Sequence, residues 1–268
     1  KRPDALFSGV QVVNTILVLS RTGRRPGGFG TKHQLFTPTT RNWLFQSTEY
    51  HPISRGPDLT VIRAGVASPL VRACQALALP SGPPAEKSLY LKPTGRYWFP
   101  VLLSRPPVLA RDGGTIFDED PGVNELGLRE GEDPFVLGAA LAGKIGYLWW
   151  SAAGDDFHIN TREAEFVRKI LHSVAKPGEL SKLARDVWRE GFEHGFVSEN
   201  KGGYVNIRWN AARSATDKFD REFLDKAGLL DFWRPLNIWY RQSMLAERAN
   251  TNSRTLTAEE RAQIFGAI

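Results

Sequence analysis

Residues 146–166 read GYLWWSAAGDDFHINTREAEF, so an apolar run with two adjacent tryptophans changes abruptly into a polar, acidic one. Upstream, Asp133 followed by Pro134 is typical of a helix start, because Asp caps free N–H groups and proline fits the first turn. Gly154 is typical of a helix end. The pattern predicts a helix from Phe135 to Ala153, buried on nearly all sides, whose tryptophans hold the following polar loop rigidly.

The polar half of this stretch leads into a second helix. Asn160 and Glu163 have the spacing of a capping box, so the helix is predicted to begin near Thr161 and to end at Pro177-Gly178. The loop before it contains residue types that bind metals, but their spacing matches no established metal site, and short polar side chains also satisfy open helix carbonyls. We therefore predict no metal ligand among Asp155, Asp156 and His158, and a structural role for His158.

A membrane-spanning helix is the alternative interpretation of residues 134–153, because they contain one charged residue, Lys144. A central lysine costs about 2.5–3.5 kcal/mol on insertion scales, and Gly and Ala supply much of the segment. We therefore predict no contact with a membrane.

Elsewhere the patterns are mixed, which predicts an α+β chain. The first predicted elements are a strand at Val10–Ser20 and two strands within Ser88–Leu103 around the turn Pro93-Thr94-Gly95, the second at a sheet edge because of Pro100. A loop is predicted from Arg105 to Asp133, an amphipathic helix over Leu180–Phe192 and a half-buried strand at Tyr204–Trp209. Helices are predicted beyond this strand, and the capping box Thr257/Glu260 opens the last of them.

Composition favours an anionic partner. The formal net charge is +6, and arginine, whose planar fork suits phosphates and guanine edges, outnumbers lysine. Cys74 is the single cysteine, which excludes an internal disulfide and a cysteine-built zinc site, and favours the cytoplasm. The chain opens at Lys1 without methionine, so we expect it to be a piece of a longer polypeptide.

The opening stretch resembles a segment from the C-terminal half of bacterial adenine-specific DNA methyltransferases of restriction-modification systems. In that family a helix with paired aromatics runs into Ser-x-x-Gly-Asp-Gly-Phe-His, and a hydroxyl or amide residue then opens a new helix. The matching positions are Ser151, Gly154, Asp155, Phe157, His158, Asn160 and Thr161, with Asp156 in place of the second glycine.

Two further stretches resemble the family in the expected order. RPDALFSGVQVVNTILVL, from Arg2 to Leu19, is similar to the segment that leads into a late strand of the methyltransferase sheet. YLKPTGRYWFPVL, from Tyr90 to Leu102, is similar to the Gly-Arg-Tyr-Trp strand pair that opens the target-recognition region. The resemblance covers residues 2–170 in patches and implies the remnant of an α/β sheet, then a β-containing recognition region, then a helical part.

The resemblance implies methyl transfer from S-adenosylmethionine to the amine of a flipped-out adenine. This chain, however, has no Asn/Asp-Pro-Pro-Tyr/Phe tetrapeptide: its proline pairs follow Gly82 and Arg105. GGFG at residues 27–30 is interpreted as a hairpin loop rather than a cofactor cradle, since it lies after the strand that resembles a late one of the methyltransferase sheet. We therefore predict no catalytic residue and no cofactor in this chain, both being supplied by a catalytic portion of the same polypeptide.

The predicted organisation follows from the resemblance: residues 1–60 end the catalytic domain, residues 61–175 form the target-recognition region, and residues 176–268 form a mainly helical part. Double-stranded DNA is the expected partner. The candidate DNA-binding residues lie in the glycine-rich basic loop, on the aromatic hairpin and at the second helix start, and are Arg21, Arg24, Arg25, Lys32, Arg96, Asn160 and Arg162.

Two other functions remain open from the sequence. One is a metal-dependent nuclease, whose candidate acids are Asp118, Glu119, Asp120, Asp155 and Asp156. The other is a helical interaction or scaffold protein, in which the tail from Phe219 to Ala267 binds a partner chain through Phe232, Trp233, Trp239 and Tyr240.

Overall fold

A computed structural model describes most of the chain from residue 68 onward. The described ranges are 68–78, 82–93, 99–109, 116–153, 161–198, 203–243 and 253–266, together with residues 29–30, 46, 50–52, 54–55, 61–62 and 159. At a few of these positions, residues 116–118 and 161–162 among them, it describes the backbone alone.

Eight helices and twelve strands lie in these ranges. The helices are α1 (Ser68–Gln75), α2 (Pro134–Ala142), α3 (Lys144–Ala153), α4 (Thr161–Ser173), α5 (Ser181–Glu193), α6 (Arg213–Lys226), α7 (Trp233–Ser243) and α8 (Ala258–Phe265). The strands are β1 (Phe29–Gly30), β2 (His51–Pro52), β3 (Ser54–Arg55), β4 (Val61–Ile62), β5 (Pro84–Leu91), β6 (Val101–Leu102), β7 (Pro107–Leu109), β8 (Ile116–Glu119), β9 (Asn124–Arg129), β10 (Gly195–Ser198), β11 (Gly203–Ile207) and β12 (Ser253–Thr255).

The strands of the described residues pair only in the antiparallel sense. A three-stranded sheet has the order β6-β5-β9, and a five-stranded sheet has the order β12-β10-β11-β7-β8. Two short pairs, β1 with β2 and β3 with β4, stand apart from both sheets. Helices together with antiparallel sheets make the chain α+β, as the sequence predicts. The predicted α/β remnant falls mostly on residues outside those described.

The centre of the core is helix α2. It is apolar all round, all its residues from Val136 to Ala142 are buried, and it packs against α3, α4, α5 and α6. Its contact with α5 is close at Gly138, where an added Cβ would lie 2.3 Å from the Trp188 ring. The Trp188 Nε1 group donates to the Phe135 carbonyl at 3.0 Å, which fixes the ring in that position. The predicted cap at Asp133 is confirmed, because its carboxylate accepts from the Phe135 amide at 2.8 Å.

The single helix predicted from Phe135 to Ala153 is wrong. The chain breaks at Gly143, and α3 starts anew at Lys144. Asp220 of helix α6 causes the break: its carboxylate accepts from the Lys144 amide at 2.9 Å and occupies the space that a Cβ at residue 143 would need. A carboxylate stabilises a helix start, because it lies near the free N–H groups of the first turn. The sequence around Gly143 does not reveal this helix start, since Asp220 lies 76 residues from Lys144.

Several other predicted elements are confirmed. Helix α5 buries most of the predicted stripe, strand β11 alternates between buried and half-buried residues, and Thr257 and Glu260 form the capping box of α8. Strands β5 and β6 pair, with Leu91 opposite Val101, and β6 lies at the sheet edge as Pro100 suggested.

Three predicted boundaries or loops are wrong. The expected loop from Arg105 to Asp133 contains β7, β8 and β9: β7 pairs with β8 and β11, and β9 pairs with β5. The second helix ends at Ser173, before a short 3-10 turn at Pro177–Leu180. Phe29 and Gly30 of the expected hairpin loop belong to strand β1. The strand predicted at Val10–Ser20 lies outside the described residues.

Among the described helices, none is long and apolar enough to cross a membrane. In residues 134–153, which the sequence offered as a membrane-spanning alternative, the break at Gly143 divides the apolar run into helices of 9 and 10 residues.

Candidate nucleic-acid interface

Ile159 lies between α3 and α4 and joins the stretch of residues 146–166 to the stretch Tyr90–Leu102, both of which carry the resemblance. Its side chain is buried, and its amide donates to the Pro93 carbonyl at 2.9 Å. Its own carbonyl accepts from the Asn124 side-chain amide at 3.1 Å, at the start of β9. The connection between the two helices is therefore tied to the end of β5 on one side and to β9 on the other.

A buried ion pair lies beside these bonds. The Lys92 ammonium donates to the Asp120 carboxylate, and the two residues are 8% and 2% exposed. The second Asp120 oxygen accepts from the Gly122 amide at 2.7 Å. Burial lowers the pKa of Lys92, and the hydrogen bond and charge of Asp120 oppose that shift. We call Lys92, Pro93, Asp120, Asn124 and Ile159 the hairpin junction.

The hairpin itself is closed just beyond the junction. The Lys92 amide donates to the Pro100 carbonyl at 3.0 Å, and Phe99 is fully buried. Residues 94–98, including Arg96, lie between these two closing positions and outside the described residues. These bonds fix the ends of β5 and β6 relative to each other and to Ile159.

The tryptophans of the opening stretch fix helix α3. Trp150 is buried, and the Trp149 ring stacks on Phe166 of α4 with centroids 4.4 Å apart. The Tyr147 ring meets the Trp239 ring of α7 at 5.6 Å. Both helices that flank the polar connection are thus held against one another and against the core.

Helix α4 is also fixed to β9, through a largely buried arginine that the sequence did not single out. The Arg168 guanidinium donates to Glu132 at 2.8 Å, to Glu165 at 2.7 Å and to the Gly127 carbonyl at 2.7 Å. Arg129 donates to the other Glu165 oxygen at 2.8 Å. A multiply bonded arginine of this kind satisfies most of its donors and fixes the direction in which the helix leaves the connection.

Most predicted DNA-binding residues lie outside the described residues: Arg21, Arg24, Arg25, Lys32, Arg96 and Asn160. The backbone of Arg162 is described and lies in the first turn of α4. The structure does bring together two residues that flank predicted DNA-binding residues, because the Ile159 amide is bonded to the Pro93 carbonyl. Pro93 lies three residues before Arg96, and Ile159 directly precedes Asn160.

The acids of the nuclease alternative are divided between described and undescribed positions. Asp155 and Asp156 lie outside the described residues, as does His158, and only the backbone of Asp118 is described, in β8. Glu119 is exposed and 3.3 Å from the Arg105 guanidinium, while both oxygens of Asp120 are engaged in the junction. In the part of the chain that the structure describes, no three His, Cys, Asp or Glu residues form a group that could hold a metal ion.

The aromatic residues of the scaffold alternative contribute to the core. Trp239 and Tyr240 are buried, and Phe232 and Trp233 are half-buried and pack against the same core. The Lys144 ammonium, which donates to Asp217, lies over the Trp233 and Tyr240 rings at 5.1 and 5.2 Å. These four side chains are therefore occupied in packing.

The sequence missed most of the hairpin junction. The sequence suggests a role only for Asp120, as a metal ligand of the nuclease alternative, and none for Lys92, Asn124 or Ile159. No local pattern marks them, because the partners Lys92 and Asp120 lie 28 residues apart and Asn124 and Ile159 lie 35 apart. The one local signal is the position of Lys92, a charged residue at the end of an apolar strand and directly before the Pro-Thr-Gly turn.

Comparisons with protein-family models, with curated proteins and with solved structures found no match to this chain.

Proposed function

We propose that this chain recognises double-stranded DNA in a sequence-specific manner, as the target-recognition part of an adenine-specific DNA methyltransferase or a related restriction-modification enzyme. The observation that carries the proposal is the bond from the Ile159 amide to the Pro93 carbonyl. It joins the flanks of the Gly95-Arg96-Tyr97-Trp98 hairpin and of the connection that leads to Asn160 and Arg162. Two candidate base-reading segments whose flanks are bonded to each other can address neighbouring base pairs in one groove.

The distribution of charge along the chain supports separate roles in DNA binding for residues 1–60 and residues 61–175. Residues 1–60 hold eight Lys and Arg against three Asp and Glu, whereas residues 61–175 hold twelve against thirteen. The positive surplus therefore lies in the part that contains Arg21, Arg24, Arg25 and Lys32. We assign phosphate contacts to that basic loop and base contacts to Arg96, Asn160 and Arg162, because phosphate contacts supply affinity and base contacts supply specificity.

Methyl transfer belongs, on this proposal, to a catalytic portion of the same polypeptide. The sequence contains neither the Asn/Asp-Pro-Pro-Tyr/Phe tetrapeptide nor the glycine-containing cofactor loop of the family, so its residues do not fit S-adenosylmethionine. On this proposal DNA is the ligand of this chain, and the chain acts in the cytoplasm, where the bacterial chromosome lies.

The nuclease alternative has less support. A metal-dependent nuclease needs carboxylates that converge on a shared ion. Asp120 instead forms a buried ion pair with Lys92, and the exposed Glu119 lies beside Arg105.

Fluorescence anisotropy with labelled 20-base-pair duplexes tests the proposal. If each of the four loop cations neutralises one phosphate, affinity falls roughly 100-fold between 50 and 200 mM salt. Arg96→Ala and Asn160→Ala are each expected to raise the Kd for a duplex selected from a random pool by roughly ten-fold or more.

Lys176→Ala is the matched control. Lys176 is exposed and follows the far end of α4, whose 13 residues span about 20 Å. Its removal is expected to leave the Kd unchanged. Absence of binding at 50 mM salt, or an affinity that does not respond to salt, would refute DNA recognition; cleavage of the duplex on addition of Mg²⁺ or Mn²⁺ would favour the nuclease instead.

A further inference from the structure

Strand β12 and helix α8 form a segment that is held together by its own contacts. We call residues 253–266 the C-terminal segment. Arg254 of β12 donates to both carboxylate oxygens of Glu260 in α8, at 2.8 and 2.7 Å. Glu260 also completes the capping box with Thr257, and Arg261 donates to the Leu256 carbonyl at 2.9 Å. These bonds join close neighbours in the chain, so they do not depend on the surface against which the segment lies.

The C-terminal segment docks on one small surface of the chain. Strand β12 pairs with the edge of β10 in the antiparallel sense over three residue pairs. Directly after the strand, the Leu256 amide donates to the Gly195 carbonyl at 3.1 Å. At the far end of the segment, the Phe265 ring stacks on the Phe192 ring of α5 with centroids 4.3 Å apart. Strand pairing and two apolar anchors thus hold the segment in place.

Gly195 makes room for both anchors. A Cβ at that position would lie 2.8 Å from the Leu256 side chain and 2.9 Å from the Phe265 ring. Leu256 completes a small apolar cluster that is separate from the main core and whose other buried members are Leu109, Val197 and Val205. Removal of the segment would therefore uncover chiefly this cluster and the edge of β10.

Little apolar surface fixes the C-terminal segment on the chain. Of its fourteen residues, all of them described, Leu256 alone is buried, and the others are half-buried or exposed. Ordering fourteen residues costs conformational entropy, which one buried side chain and a short strand ladder offset only narrowly. Segments with few buried contacts have the lowest local unfolding free energies. We therefore expect the segment to leave its surface far more often than the core helices open.

An uncovered edge of β10 needs a new occupant. It presents unpaired backbone N–H and C=O groups beside apolar side chains, which is a template for pairing with another chain. The occupant that fits this surface is already seen on it, and every copy of the chain carries that segment. When two copies exchange their segments, each regains the strand ladder, the leucine beside Gly195 and the stacked ring, so the exchange loses none of these contacts.

We infer that the edge of β10 and the space beside Gly195 form a docking site for the C-terminal segment of a second copy, and that two copies exchange these segments to form a dimer. The strand edge selects an extended backbone, and side-chain pockets select what accompanies it. The dimer fraction rises with protein concentration by mass action. The inference is independent of the proposed DNA recognition.

Disulfide trapping in the full-length chain tests the exchange. Ser198 of β10 lies opposite Ser253 of β12, so a cysteine at each position can form a disulfide when the strands pair. Differently tagged Ser198→Cys and Ser253→Cys chains are mixed in equal amounts at high concentration and then treated with oxidised glutathione. The native Cys74 is buried, and burial raises the pKa of its thiol to about 12, which keeps it unreactive. Ser198→Cys mixed with Ser173→Cys, an exposed position at the end of α4, measures random collision.

We expect the first mixture to give a covalent heterodimer well above the collision background, in a yield that rises with protein concentration. Gly195→Ala in the Ser198→Cys chain is expected to lower this yield roughly ten-fold, because the new methyl group overlaps Leu256 and Phe265. Gly178→Ala in the same chain is the matched control, since open space surrounds that position, and should leave the yield unchanged. Light scattering of the wild-type chain should show a dimer fraction that rises with concentration.

A second variant acts on the segment rather than on the docking site. Leu256→Ala in the Ser253→Cys chain removes an anchor and leaves β10 unaltered, so it should lower the heterodimer yield even if Gly195→Ala fails to fold. The double variant Ser198→Cys/Ser253→Cys reports pairing within one chain. Disulfide formation in that variant, together with a mixture that gives only the collision background, would overturn the exchange, because the segment then stays on its own copy.

Two other results would also contradict the inference. Equal heterodimer yields with Gly195→Ala and Gly178→Ala, or an unchanged yield with Leu256→Ala, would show that the product does not depend on the docking contacts. Failure of the double variant to form its disulfide in any state would overturn the docking site itself.

Discussion

Asp220 lies at the start of helix α3 with no exposed surface. One of its oxygens accepts from the Lys144 amide, and the other has no hydrogen-bond partner among the described residues. The Lys144 ammonium is 4.0 Å away and is bonded to Asp217. Burial outweighs this nearby positive charge and raises the pKa of Asp220 from 3.8 to about 6. A single buried carboxyl therefore makes the stability of the core sensitive to pH.

The direction of that dependence follows from the raised pKa. Because the folded protein favours the protonated carboxyl, the Asp220 contribution to the unfolding free energy is complete below about pH 4 and is lost as the pH rises through 6. A shift of this size corresponds to about 3 kcal/mol at most. Asp220→Asn should therefore match the wild type at pH 4 and have the higher Tm at pH 7.5.

Asp225→Asn is the control for this prediction. Asp225 lies on the same helix α6 and is exposed, so its replacement tests whether the pH dependence is specific to the buried position. Thermal unfolding of the three proteins between pH 4 and 8 measures these differences. A difference between Asp220→Asn and wild type that stays constant over this range would show that Asp220 is not the titrating group.

At the scale of elements, helix α2 packs closely against α5. Two helices approach each other closely only where one of them lacks a side chain, and Gly138 provides that position against Trp188. The tryptophan ring cannot move away easily, because its Nε1 group is bonded to the Phe135 carbonyl and the ring forms a T-shaped pair with the Trp209 ring, centroids 4.9 Å apart. The packing of α2 therefore depends on a residue with no side chain.

Gly138→Ala is expected to lower the unfolding free energy by about 1–3 kcal/mol, since the new methyl group overlaps the Trp188 ring. Urea-induced unfolding followed by tryptophan fluorescence measures the change. Gly178→Ala is the matched control, because open space surrounds that position and its backbone suits any residue. It should change the free energy by less than about 1 kcal/mol, in either direction. Equal effects of the two substitutions would contradict the close-packing argument.

At the scale of the whole molecule, one core includes helices from both sides of residue 175. Its buried residues run from Leu70 in α1 to Tyr240 in α7. The five-stranded sheet likewise combines β7 and β8 with β10, β11 and β12. The helical part that the sequence left without a role thus completes the interior of the region that precedes it.

A chain that ends at Ala212 is expected to lose cooperative thermal unfolding. It lacks α6 and α7 and therefore the fully buried Phe219, Phe223, Leu224 and Leu236. A chain that ends at Ser243 keeps both helices and should still unfold cooperatively, at a lower Tm because Phe265 no longer stacks on Phe192. Calorimetry distinguishes these outcomes. Cooperative unfolding of the shorter chain would mean that the preceding region folds without α6 and α7, which would contradict a shared core.

By itself, the sequence determined those features whose physical cause lies within a few residues. Asp133 and Pro134 start α2, the apolar spacing of α5 places one face in the core, and the Thr257/Glu260 pair opens α8. Such caps and periodicities act between neighbours in the chain, so they can be recognised before any fold is known.

The tertiary structure alone decided the break at Gly143, the strands between Arg105 and Asp133, and the hairpin junction. Each of these depends on a partner distant in sequence: Asp220 for the break, β5 and β11 for the strands, and Asp120 for Lys92. A hydrogen bond or ion pair between distant residues leaves no periodic trace in the chain, because its free energy is realised only after the core has brought the two groups together.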